Sequence, residues 1–100
     1  MSIITLTTDF GSKDYFVSVI KASIYNEIPN ANVIDISNSI SPFNHSEAAY
    51  ILKNAYHAFP KKSIHIVGVD SEFSPENKHL LMRFDGHYFI GADNGIFSLL

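Results

Sequence analysis

Apolar residues follow two rhythms along this chain. Nearly continuous aliphatic and β-branched runs at 3–8, 32–36, 63–69, 79–84 and 87–92 predict strands. Between them lie two segments of helical periodicity. Over 14–27, Phe16, Val19, Ile20, Ser23, Ile24 and Ile28 fall on one face, and Pro29-Asn30 ends the run. Over 44–58, Asn44 is a good N-cap with Glu47 three residues on, as in a capping box. Ala48, Ile51, Leu52, Ala55 and Phe59 make the stripe expected to be buried. Pro60 stops this helix, and Lys61-Lys62 sit near its negative dipole end. Asp85-Gly86 separates the last two strands and favours a type I′ hairpin turn. That turn sets Phe84 opposite His87 and Arg83 opposite Tyr88. The order β-α-β-α-β followed by a hairpin predicts an α/β fold: a doubly wound unit with parallel central strands and an antiparallel hairpin extension.

Composition narrows the function. Hydrophobic residues make up 46% of the 100 residues and charged residues 17%, enough for a core and against disorder. The net charge is -3 and Lys61-Lys62 is the only adjacent basic pair, so no nucleic-acid partner is expected. No apolar run approaches membrane-spanning length. The chain has no cysteine, which excludes disulfides and fits a cytoplasmic protein. Its last residues, Ile96-Phe97-Ser98-Leu99-Leu100, are apolar, so a piece of a larger fold is expected rather than a complete domain.

Four of the six aspartates end apolar runs: Asp9, Asp35, Asp70 and Asp93. In open α/β sheets, ligands bind beyond the carboxyl ends of the strands. Asp9 lies in Thr8-Asp9-Phe10-Gly11, at a strand-to-helix turn, where it could accept two bonds from vicinal ribose hydroxyls or cap the helix. Asp14 reads first as a helix cap and second as an acceptor for a ligand ammonium group. Asp35 reads as scaffold. Asp70 ends the third strand, where a carboxylate can orient water or bind a cation. Asp93-Asn94-Gly95 is a turn signature. Phe43 could wall a nucleoside pocket, but as the residue before the Asn44 cap it reads better as a hydrophobic staple. The five histidines have no metal-ligand spacing, so no metal site is expected. No dinucleotide, Walker or nucleophile-elbow motif is present.

The order of these signals is more specific than any one. Thr8-Asp9-Phe10-Gly11, Asp14, Val33-Ile34-Asp35-Ile36-Ser37, Pro42-Phe43, Phe59-Pro60, Val69-Asp70 and Ala92-Asp93-Asn94-Gly95 resemble the N-terminal domain of the S-adenosyl-L-methionine hydroxide adenosyltransferases, relatives of the fluorinases and chlorinases. The resemblance spans nearly the whole chain. It implies attack of water or hydroxide on ribose C5′ of S-adenosylmethionine, giving adenosine and methionine, with no cofactor and no metal. It implies that Asp9 grips the ribose hydroxyls, that Asp14 lies near the methionine end, and that Phe43 stands beside the ribose. It makes Asp70 the water-orienting, catalytic aspartate. It further implies a homotrimer whose sites form between the N-terminal domain of one subunit and a β-rich C-terminal domain of the next. The 100-residue chain alone is then expected to be inactive.

The chain departs from the family pattern after Asp70. The usual arginine position holds Asn77, with Lys78 beside it as a possible substitute for the charge but not for the guanidinium fork. Asn38 stands where a histidine is common. The alternative is a non-catalytic nucleoside-binding or assembly domain. A metal-dependent phosphohydrolase using Asp9 and Asp70 is a third, weaker reading.

Overall fold

The computed structural model describes residues 2–11, 13–69, 79–92 and 94–100. Five strands form one sheet: β1 (Ile3–Thr8), β2 (Asn32–Ser37), β3 (Ile64–Gly68), β4 (His79–Phe84) and β5 (His87–Ala92). Two helices connect the first three strands, α1 (Phe16–Glu27) and α2 (His45–Ala55), the second running on as a 3₁₀ turn to Ala58. The strand order is β2-β1-β3-β5-β4. β1 pairs in parallel with β2 and β3, and β3 pairs in parallel with β5. β4 is the antiparallel edge. The doubly wound α/β architecture is therefore as expected.

Each expected strand is found, with ends shifted by no more than a residue. The hairpin register is the expected one, Phe84 opposite His87 and Arg83 opposite Tyr88. Asp85 and Gly86 both have positive φ, 53° and 77°, as a type I′ turn requires. Tyr56 donates its hydroxyl to Asp85 Oδ2 at 3.0 Å, and Lys61 Nζ reaches Asp85 Oδ1 at 3.1 Å. These bonds tie the hairpin tip to the end of the α2 segment.

The two sides of the sheet are covered unequally. α2 packs Ala48, Ala49, Leu52 and, beyond its end, Tyr56 against Val67, Val69, Phe89 and Ile96, all buried. Half of the expected capping box forms: the Asn44 side chain accepts from Glu47 N at 3.0 Å, while the Glu47 carboxylate accepts from Ser41 N at 3.2 Å instead of from the Asn44 main chain, whose N–H goes to Ser41 O. α1 lies on the opposite face and buries none of its residues. Phe16 and Val19 are about half exposed, so the apolar face expected of this helix is only partly covered. Helical periodicity shows that a helix has an apolar side but not how much surface is available to meet it. α1 is held at its edge instead. Lys21 pairs with Asp35 at 2.8 Å, and the Tyr25 hydroxyl accepts from Val33 N at 3.3 Å. Among the described residues, no second helix shares that side.

A polar chain runs through the α2 side of the core. Thr5 Oγ1 bonds His65 Nδ1 at 2.7 Å, and His65 Nε2 bonds His87 Nδ1 at 3.1 Å. Both imidazoles are fully buried. Burial, reinforced by the neighbouring His87, lowers the His65 pKa to about 4. Burial also lowers that of His87, with Lys61 adding to the effect. An unfolded histidine binds its proton near pH 6.5, whereas folded His65 does so only near pH 4. Between those values the unfolded chain holds more protons, so stability rises with pH across the window and is full above it. We expect the unfolding free energy to fall by on the order of 3 kcal/mol as pH drops from 7.5 towards 4. Urea unfolding at several pH values measures this. His65→Leu should flatten the slope, and an unchanged slope would contradict the assignment.

Candidate functional site

The site is built where β1 ends. Asp9 N donates to Gly68 O of β3 at 3.3 Å, and Ile40 N donates to Thr8 O at 3.2 Å. The carboxyl end of β1 is thus bonded on both sides. Gly11 then takes φ +77°, a conformation glycine adopts at little cost, and its N–H donates to Asn38 O at 2.7 Å. The turn after β1 and the loop after β2 become two walls of an open cleft of about 390 Å³. Asp9, Lys13, Asp14, Asn38 and Pro42 line it.

Asp9 is half-buried, and its Oδ2 accepts from Phe43 N at 3.4 Å. It therefore does not serve as the α1 cap; the N-cap position is Tyr15, without a side-chain bond. Asp14 is exposed and its Oδ1 accepts from Tyr15 N at 2.7 Å, one residue short of capping geometry. Both carboxylates face the same cleft. Phe43 is 71% exposed, so it does not staple α2 as expected. Its φ of +60° is uncommon for a residue with a side chain. That conformation turns its N–H to Asp9 and leaves its ring in solvent.

Asp35 is scaffold: it sits on β2 in the ion pair with Lys21. Its burial would raise its pKa, but the Lys21 ammonium and the Asn38 amide outweigh that and hold it below the usual value. Asp70, Asn77, Lys78 and Asp93 lie outside the described residues.

Among the lining residues that the sequence does not single out, Lys13 adds a positive charge and Phe10 an aromatic wall. Phe10 packs its ring on Gly68, where an added Cβ would come within 3.0 Å of it. The same ring borders the apolar cleft beneath α1, formed with Leu6, Ile20, Ile66 and Ile90. It separates the polar cleft from the apolar one. An alternating aromatic after an aspartate carries no signal of such a role.

The family model described as the SAM hydroxide adenosyltransferase N-terminal domain matches residues 4–100. The chain belongs to this family. A (R)-S-adenosyl-L-methionine hydrolase from Methanocaldococcus jannaschii is 39% identical over 98% of the chain. A hydrolase of the same name from Thermus thermophilus is 28% identical over 92%. An uncharacterized conserved protein from Thermotoga maritima, solved by crystallography, superposes with a TM-score of 0.91 at 34% identity, covering 96% of the chain. The chain spans 39% and 36% of the two hydrolases' lengths and 37% of the Thermotoga chain.

Replacing Gly11 by alanine should cost about 1 kcal/mol through its positive φ alone, since no atom lies within 4 Å of the added Cβ. Gly68→Ala should instead displace Phe10. Urea unfolding and intrinsic fluorescence near the cleft distinguish the two. Equal stability of Gly11→Ala and the parent would contradict the backbone argument.

Proposed function

We propose that this chain is the ribose-binding part of an enzyme that hydrolyses S-adenosyl-L-methionine to adenosine and L-methionine. The observation that carries the reading is Asp9. It is a family-matched carboxylate fixed at the carboxyl end of a central strand and open to a cleft. A carboxylate accepts about four hydrogen bonds, so holding Phe43 N–H and gripping a vicinal diol are compatible. Asp14, on the same cleft, would receive the methionine ammonium group. The exposed Phe43 ring would close over the ribose.

The chemistry asks little of the protein beyond placement. The sulfonium leaves as a neutral thioether, taking the C5′–S electron pair. Water forms the new C5′–O bond and releases a proton. Holding oxygen, C5′ and sulfur in line supplies much of the rate. Excluding bulk water from the nucleophile supplies more. In this reading Asp70 orients the water, Lys78 contributes positive charge nearby, and neither cofactor nor metal takes part. The complete site would require a β-rich C-terminal domain of a neighbouring subunit in a cytoplasmic homotrimer. The 100-residue chain alone would then be inactive.

Calorimetry of the full-length protein with adenosine tests the role of Asp9. Two lost charge-assisted hydrogen bonds are worth roughly 3 kcal/mol, so Asp9→Ala should weaken adenosine about 100-fold. Wild-type affinity in this variant would overturn the ribose assignment. Adenosine binding without any turnover of S-adenosylmethionine would favour a non-catalytic nucleoside-binding domain.

A further inference from the structure

The pairing of β1 with β2 is regular up to Leu6, opposite Asp35, and then slips: Thr7 lies opposite Ser37, leaving Ile36 as an extra residue. Side chains alternate faces along a strand, so residues 35 and 38 would ordinarily point to opposite sides. The inserted residue cancels that alternation. It brings Asn38 beside Thr8 and onto the face that carries Asp35 and Lys21.

The contacts follow from this slip. Thr8 Oγ1 donates to Asn38 Oδ1 at 2.8 Å, and Phe10 N donates to Thr8 Oγ1 at 3.3 Å. The main-chain oxygen of Asn38 accepts from Gly11 N at 2.7 Å. The Asn38 side chain lies close enough to the Asp35 carboxylate to help hold its pKa down, and Lys21 holds the same carboxylate from α1 at 2.8 Å. Thus Lys21, Asp35, Asn38, Thr8 and Phe10 form one polar chain from α1, across β2 and β1, to the turn bearing Asp9.

We propose that Asn38 is a positioning residue: its side-chain amide, held between Thr8 and Asp35, locks the turn after β1 to the loop after β2 and so sets the Asp9 carboxylate for the nucleoside. The inference rests on the proposed function for its ligand, but not for its geometry. The group at this position must accept on one side and donate on the other, which the amide does and a carboxylate does not. An aspartate at this position could still accept from Thr8. Its second oxygen would meet the Asp35 carboxylate, and such a pair ionises fully only when pH is raised. Asp9 and Asp14 in the cleft, and Glu47 at the start of α2, would oppose that second ionisation. Lys21 and Lys13 would favour it.

Asn38→Asp and the exchanged pair Asp35→Asn with Asn38→Asp, both made in the full-length protein, test this. In the single variant, the KM for S-adenosylmethionine should rise at least tenfold between pH 5.5 and pH 8, with kcat changed less than threefold. The exchanged pair should return KM to within threefold of wild type at every pH. Thr8→Val, which keeps the shape and removes the donor, should raise KM without the pH dependence. A pH-independent KM in Asn38→Asp, or an exchanged pair no better than the single variant, would overturn the proposal. Hydrogen-exchange protection of the Gly11 amide reports the same lock without ligand. It should fall at least tenfold in Asn38→Asp at pH 8 and recover in the exchanged pair; unchanged protection overturns the positioning role. If the wild type neither binds nor turns over S-adenosylmethionine, the functional reading fails, and Gly11 protection alone decides the role of Asn38.

Discussion

The carboxyl end of β1 is the constraint on which the site depends. β1 is flanked by two parallel neighbours, and both wall-forming loops converge on its end. Its last residues, Thr5, Thr7 and Thr8, are buried along with Leu6, so the strand cannot slide without exposing them. Main-chain bonds from Asp9 to Gly68 and from Ile40 to Thr8 then fix where the strand stops. A carboxylate on the next residue inherits that rigidity. This is how a small sheet holds a charged group accurately while leaving it open to a ligand.

The two sides of the sheet divide the work. The α2 side is a dense core, where aromatic rings and two neutral histidines pack on Val67, Phe89 and Ile96. The α1 side is thinly covered and held at its edge by an ion pair and a tyrosine hydroxyl. At the partial exposure of Lys21 and Asp35, that ion pair contributes at most about 1 kcal/mol to stability. Its larger proposed role is to orient Asn38. Stability is concentrated on one face, and the polar cleft opens at the carboxyl end of the sheet.

Much of the fold was legible in the sequence because its signals are local. The Asp85-Gly86 turn fixed the hairpin register, and the Asn44–Glu47 cap marked the start of α2. The family was legible because the Thr8-Asp9-Phe10-Gly11 and Asp93-Asn94-Gly95 elements recur in a set order. What escaped was non-local. Phe43 read as a staple from its position before the cap, but its positive φ takes the ring away from α2. The spacing of His65 and His87 along the chain carries no signal of their contact, yet β3 sets His65 opposite Phe89, and His87 shares that face two residues earlier. Asn38 was visible only as a departure from a pattern. Its place depends on one extra residue in β2, which no periodicity reveals.

The proposed reaction is attack of water on C5′ of S-adenosylmethionine at the cleft built on Asp9. Turnover by the full-length protein in ¹⁸O-labelled water, followed by mass spectrometry of the products, tests it directly. That reaction puts one labelled oxygen in the 5′-hydroxyl of adenosine and none in methionine. Label in the amino-acid product, or no adenosine at all, would contradict it.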